Sequence, residues 1–201
     1  MSITTYAELQ TAAANWLKRS DLTSYIPDLI RLGELRIFRE VRCRIMESSL
    51  SSAISSGVVT VPSDYLGLKS AYIDGSPTQK LQRATVSQIY DKYPLRAAEG
   101  KPKMVAREGS SFIFGPYPDS SYTMKGIYYA KPTSIQTSAN ALFLESPDLY
   151  LFAALAEAAP FLKDDARIVI WDGKYASVVK QIEDADRDED STGGGLAVVV
   201  A

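Results

Sequence analysis

Apolar residues recur at helical spacing near the N-terminus, alternate with polar ones through the middle of the chain, and return to helical spacing towards the C-terminus. Tyr6, Leu9, Ala13, Trp16 and Leu17 make one stripe that ends near Ser20, the pattern of a helix with a single buried face. Thr5 followed by Glu8 forms a capping box, in which the hydroxyl accepts a backbone N–H and the carboxylate reaches back to the cap. Pro27 opens a second helix, since its missing N–H is one that would have no partner there anyway. That helix is expected to run to about Arg42, with Ile26, Leu29, Ile30, Gly33, Ile37 and Val41 on its core face. At Gly33 the absent side chain leaves room for another backbone.

The back of the second helix carries Arg31, Arg39 and Arg42, but also Leu35 and Phe38, which a plainly solvated surface would not need. Two coverings satisfy this pattern, a second packing surface inside the same domain or a neighbouring subunit. These five residues are the candidate subunit interface.

From Arg44 to about Leu144 the period becomes two, and turn residues punctuate the chain, as in an antiparallel β region. Strands are expected at residues 45–54, 58–61, 67–73, 104–107, 112–115, 122–130 and 141–144, with turns at Gly57, at Asp74-Gly75 and through residues 115–119. Residues 86–93 suit one or two helical turns ended by Pro94.

Ser146, Pro147 and Asp148 then supply a cap, a first-turn proline and a first-turn acid. Residues 149–159 are apolar nearly all round, so this helix is expected at the centre, broken at Pro160. A last helix from Asp164 or Asp165 places Ile168, Trp171, Tyr175, Val178, Ile182 and Ala185 on a narrow seam. The expected class is therefore α+β: a helical bundle from residues 1–43 and 146–190, an inserted antiparallel β-rich region over 44–145, and a tail over 191–201.

The tail is unusual. After six acids and one Arg between Glu183 and Asp190, a Ser-Thr-Gly-Gly-Gly linker leads to the apolar residues 196–201. Such a β-prone run either completes its own sheet or adds a strand to a partner. Leu196, Val198, Val199 and Val200 are the candidate partner-binding residues.

Composition narrows the chemistry. The 201 residues contain no His and one Cys, with 22 Lys and Arg against 24 Asp and Glu. Without imidazole, Ser-His-Asp and Cys-His catalysis and His-ligated zinc are excluded. The lone Cys43 forms no intrachain disulfide and fits a reducing compartment. A net charge of −2 gives no global field for nucleic acid. No signal peptide, membrane span, phosphate loop, cofactor motif or metal cluster is expected. A glycosidase-like acid pair would have to come from Asp64, Asp74, Asp91, Glu99, Glu108 and Asp119, each beside a turn and none spaced as partners. Tyr122, Tyr128 and Tyr129 are the aromatics placed to stack on bases, although one face of an alternating strand is normally core.

Several segments along the chain belong together. They are Thr5-Tyr-Ala-Glu-Leu-Gln10, Trp16-Leu17, Arg19-Ser-Asp-Leu22, Ile26-Pro-Asp-Leu-Ile30 and Gly33-Glu-Leu-Arg-Ile-Phe-Arg-Glu-Val-Arg42 near the start. Val61-Pro-Ser-Asp-Tyr-Leu66, Tyr128-Tyr-Ala-Lys-Pro132, Ser146-Pro-Asp-Leu-Tyr-Leu-Phe-Ala-Ala-Leu155 and Ala158-Ala-Pro-Phe-Leu-Lys-Asp-Asp165 continue the pattern to the far end. Together these segments resemble the head-to-tail adaptor proteins of short-tailed phages, and the resemblance implies a structural subunit without catalysis or cofactor. Its partners would be the portal protein, tail proteins such as the nozzle, and copies of itself in a dodecameric ring. DNA would pass through the central channel without sequence-specific binding. The protein would be a virion component assembled in the host cytoplasm. A distal tail or nozzle subunit, or a carboxylate-dependent cell-wall hydrolase, are the other readings.

Overall fold

The computed structural model describes residues 3–18, 21–158 and 167–192. Among them the chain forms six α-helices and eight strands in an α+β arrangement. It divides into two compact units, a helical one drawn from both ends of the chain, up to Met46 and from Pro132 onward, and a β-rich one spanning Glu47–Lys131.

In the helical unit α1 (Tyr6–Leu17) starts at the capping box, with the Glu8 N–H donating to Thr5 Oγ1 at 3.2 Å and the Thr5 N–H donating to Glu8 Oε2 at 3.0 Å. The second helix, α2 (Ile26–Glu40), stops two residues before the expected Arg42 because Val41 is already extended, at φ −89° and ψ 134°. The short α4 (Ala141–Glu145) stands where a strand was expected. Asn140 caps it by accepting the Phe143 N–H at 2.8 Å, and Leu142 and Phe143 are buried side by side, a pattern alternation does not produce.

The apolar helix is α5 (Pro147–Ala156), and it packs against α1, α2, α4 and α6 (Arg167–Thr192). Leu149, Tyr150, Leu151, Ala153, Ala154 and Leu155 are all buried, so its lack of a polar face marks the centre of this unit. Ser146 does not cap it through its side chain; Asp148 Oδ1 accepts the Leu149 N–H at 3.0 Å instead. The close approach anticipated at Gly33 is to α5, for a Cβ there would lie 2.8 Å from the Ala154 nitrogen. In α6 the seam is buried at Trp171 and Tyr175, half-buried at Val178 and Ile182, and exposed at Ala185. Ser191 and Thr192, expected in the linker, are the last residues of this helix.

The β-rich unit contains β1 (Glu47–Ala53), β2 (Val58–Thr60), β3 (Tyr65–Ile73), β4 (Gln79–Lys80), β5 (Gln82–Arg83), β6 (Met104–Glu108), β7 (Ser111–Gly115) and β8 (Thr123–Ala130), with α3 (Val86–Lys92) between β5 and β6. Residues 45 and 46, expected in the first strand, belong instead to a 3-10 turn over Arg44–Met46. The strands make two four-stranded sheets, ordered β1-β8-β3-β4 and β2-β7-β6-β5. All pairings are antiparallel except the two-residue parallel pair β5 with β6, which the alternating pattern does not reveal. Leu50, Leu68, Ala71, Met124 and Tyr128 of the first sheet share a core with Val59, Val105, Phe112 and Phe114 of the second. On the second sheet's other face Ala106 and Ile113 pack with Ile89 of α3. Glu47 at the start of β1 lies opposite Tyr129 near the end of β8, so the chain enters and leaves this unit side by side.

Candidate interaction surfaces

Helical spacing puts Arg31, Leu32, Leu35 and Arg39 on the face of α2 opposite Gly33 and the α5 contact. Arg31 and Arg39 are exposed, Leu35 is half-buried, and Leu32, which the sequence reading passed over, is 47 % exposed. Phe38 is only 4 % exposed within the single chain. It therefore leaves the candidate subunit interface: the protein's own packing covers it, and a charge placed there would disturb the fold before any assembly. Arg42 is half-buried and turns back on its own helix, donating from Nη1 to the Phe38 carbonyl at 2.9 Å and the Val41 carbonyl at 2.6 Å. Its charge satisfies the carbonyls left over at the C-terminus of α2.

Arg31 is anchored from beneath. Its Nη1 lies 2.6 Å from Glu34 Oε2, and Glu34 is 1 % exposed although ionisable. The same carboxylate accepts the Ser134 hydroxyl and the Ile135 N–H, both at 2.8 Å, tying the segment after Pro132 to α2. A buried carboxylate is tolerated only when such donors surround it. Nothing in the sequence separates Glu34 from the surface acids of the same helix except Arg31 one turn earlier.

On the α6 side Tyr175 donates to Glu40 Oε2 at 2.7 Å, while the Arg36 guanidinium sits 4.3 Å from the Tyr175 ring centroid and 2.9 Å from Asp172. Burial and the bond to Glu40 push the Tyr175 hydroxyl well above its ordinary pKa. The chain turns from there into an open groove of about 620 Å³. Ile45, Val178, Ile182 and Ala185 give it apolar walls, and Glu145, Asp148, Asp186 and Glu189 are its carboxylates. Arg44 is the single cation of the lining, and it is engaged locally, its N–H donating to Asp186 at 2.9 Å and its Nη1 to Glu189 at 2.6 Å. The buried Cys43 thiol at the groove floor is raised, first by burial and then by Asp186 and Glu145. The acid-rich run thus has a structural setting: Asp186 and Glu189 line an apolar furrow, while Glu183 and Asp188 stay exposed.

Four of the candidate acids of the β-rich unit serve their neighbours. Asp64 accepts from Tyr128 at 3.1 Å, Glu108 from Tyr90 at 2.9 Å, and Asp119 from Tyr122 at 2.7 Å, while Asp74 pairs with Lys125 at 2.7 Å. Of the tyrosines considered for base stacking, Tyr128 is buried in the sandwich core, stacked at 6.0 Å on Tyr65, and has no face to offer a base. Among the described residues no group of three or more His, Cys, Asp or Glu is placed to hold a metal, and no helix is long and apolar enough to cross a membrane. Leu196, Val198, Val199 and Val200 lie outside the described residues.

No curated protein sequence matches the chain. Its two-ended helical unit and inserted sheets nevertheless belong to a continuous pattern, since residues 4–198 match the SU10 adaptor protein family. The match runs over nearly the whole length and through both units: the chain belongs to the SU10 adaptor protein family, phage adaptor proteins of the virion that interact with other head and tail proteins.

Proposed function

We propose that this protein is a subunit of a dodecameric ring between the portal and the tail, with a central channel through which DNA passes. The observation that carries the reading is the family match over residues 4–198. The ring is a structural piece that performs no catalysis, and it meets the portal on one side and tail proteins such as the nozzle on the other. A near-neutral chain suits a channel that must let DNA slide, because a strongly basic wall would hold the phosphates. Assembly takes place in the host cytoplasm, where the single thiol stays reduced.

Within that ring Gly193–Gly195 act as a hinge, and Leu196, Val198, Val199 and Val200 bind the portal or a neighbouring subunit as an added strand. Burying these four side chains is worth roughly 6–12 kcal/mol gross. Ordering six residues costs about 1–2 kcal/mol each, so the tail acts as a clamp that folds on binding. The test is sedimentation and electron microscopy of the purified protein, alone and with purified portal, beside a truncation after Thr192. Rings on the portal that weaken on truncation, with monomer melting unchanged, support the reading. A wild-type chain that neither multimerises nor binds portal overturns it.

A further inference from the structure

We infer that the ring contact is made by the outer face of α2 on one copy seated in the acid-rimmed groove of the next. This inference rests on the ring reading above and specifies the two surfaces that meet. The groove offers apolar walls at Ile45, Val178 and Ile182 beneath the exposed carboxylates of Glu145 and Asp148. The guanidinium of its one cation, Arg44, is already held by Glu189, while Asp186 accepts only the Arg44 backbone N–H, so the lining is short of positive charge.

The outer face of α2 supplies what the groove lacks. Leu32 and Leu35 stand on it at adjacent-turn spacing, flanked by the exposed Arg39 and by Arg31, whose guanidinium also pairs with the buried Glu34, with Asp28 as its exposed acid. An apolar pair between cations, laid along a furrow with apolar walls and an anionic rim, is the helix-in-groove mode of recognition. Charge complementarity chooses a second copy as the occupant: the face and the groove belong to the same unit, carry opposite sign, and share no residue. Two different patches that fit each other make a head-to-tail contact, and a head-to-tail contact with the right rotation closes a ring. The same geometry explains why Leu32 and Ile45 stay 47 % and 38 % exposed in the single chain.

The decisive experiment uses charge reversal and mixing on the full-length chain, with self-association followed by sedimentation, alone and on purified portal. Arg39→Glu and the groove variant Glu145→Lys/Asp148→Lys each place like charges in contact and should weaken association by about a hundredfold. All these residues are exposed, and circular dichroism should show unchanged folding. The two variants mixed in equal amounts should assemble again, because each reversed face then meets the other's reversed groove and each native face a native groove. Wild-type multimers that persist in both single variants overturn the inference while leaving the ring intact. Failure of the mixture to recover also overturns it. If truncation after Thr192 abolishes association and Arg39→Glu does not, a tail fills the groove and the inference is wrong. A wild-type chain that never multimerises removes the ring reading itself.

Discussion

In the β-rich unit the second sheet is covered on both faces, by the first sheet through Phe112 and Phe114 and by α3 through Ile113. Its surface acids Asp64, Glu108 and Asp119 are engaged by tyrosines of the same unit. In the helical unit the core is equally buried around α5, yet Leu32, Arg39, Ile45, Glu145 and Asp148 remain outside it. The difference separates two uses of a charged residue. Where a carboxylate has a neighbouring hydroxyl it finishes a local structure, and where a rim of carboxylates surrounds apolar walls its charge stays on the surface, which is the basis of the contact inferred between copies.

The sharpest way to break this contrast is to cut on either side of α2. Phe38→Ala should cost about 3–5 kcal/mol, a drop in melting temperature of roughly 10 °C, whereas Leu35→Ala should cost under about 1 kcal/mol. Equal losses would mean that the outer face is core. The β-rich unit offers the matching pair: Ile113→Ala should lose about 2–5 kcal/mol, and Ile127→Ala, on a side chain 38 % exposed, under about 1 kcal/mol.

Removing the buried acceptor should come next. Glu34→Ala leaves the Ile135 N–H without its carboxylate and should cost about 1–3 kcal/mol, with faster amide exchange at Ile135 as the local readout. The smallest effect is at the start of α1, where Thr5→Ala should cost about 1 kcal/mol. The Glu8 carboxyl is held below its ordinary pKa by hydrogen bonds from the Thr4 and Thr5 backbones. Its contribution is therefore complete above the ordinary carboxylate range and is lost as pH falls through the lowered value. Glu8→Gln should remove that part of the acid sensitivity, seen as a shallower decline of α1 helicity on acidification.

The legible parts of the sequence were those where one local rule acted alone. The Thr5–Glu8 box, Gly33 as a contact point and the all-apolar α5 each follow from chemistry within one element. Residues 141–144 suit a strand as well as a helix because a short apolar run fits either period, and only the Asn140 cap decides for helix. Phe38 was placed on an outward face because periodicity tells how far apart residues point but not how wide the buried arc is. Glu34 and the groove arise from segments far apart in sequence, such as Glu34 with Ile135 and Arg44 with Asp186, and no local pattern marks them.

Side-chain oxidation footprinting of the free and portal-assembled protein tests most directly whether copies of this chain meet through the helical unit. Leu32, Leu35, Ile45 and Ile182 should lose reactivity on assembly, while Tyr72 and Ile127 on the open face of the first sheet keep theirs. Protection of Tyr72 and Ile127 with Leu32, Leu35, Ile45 and Ile182 unchanged would contradict the account.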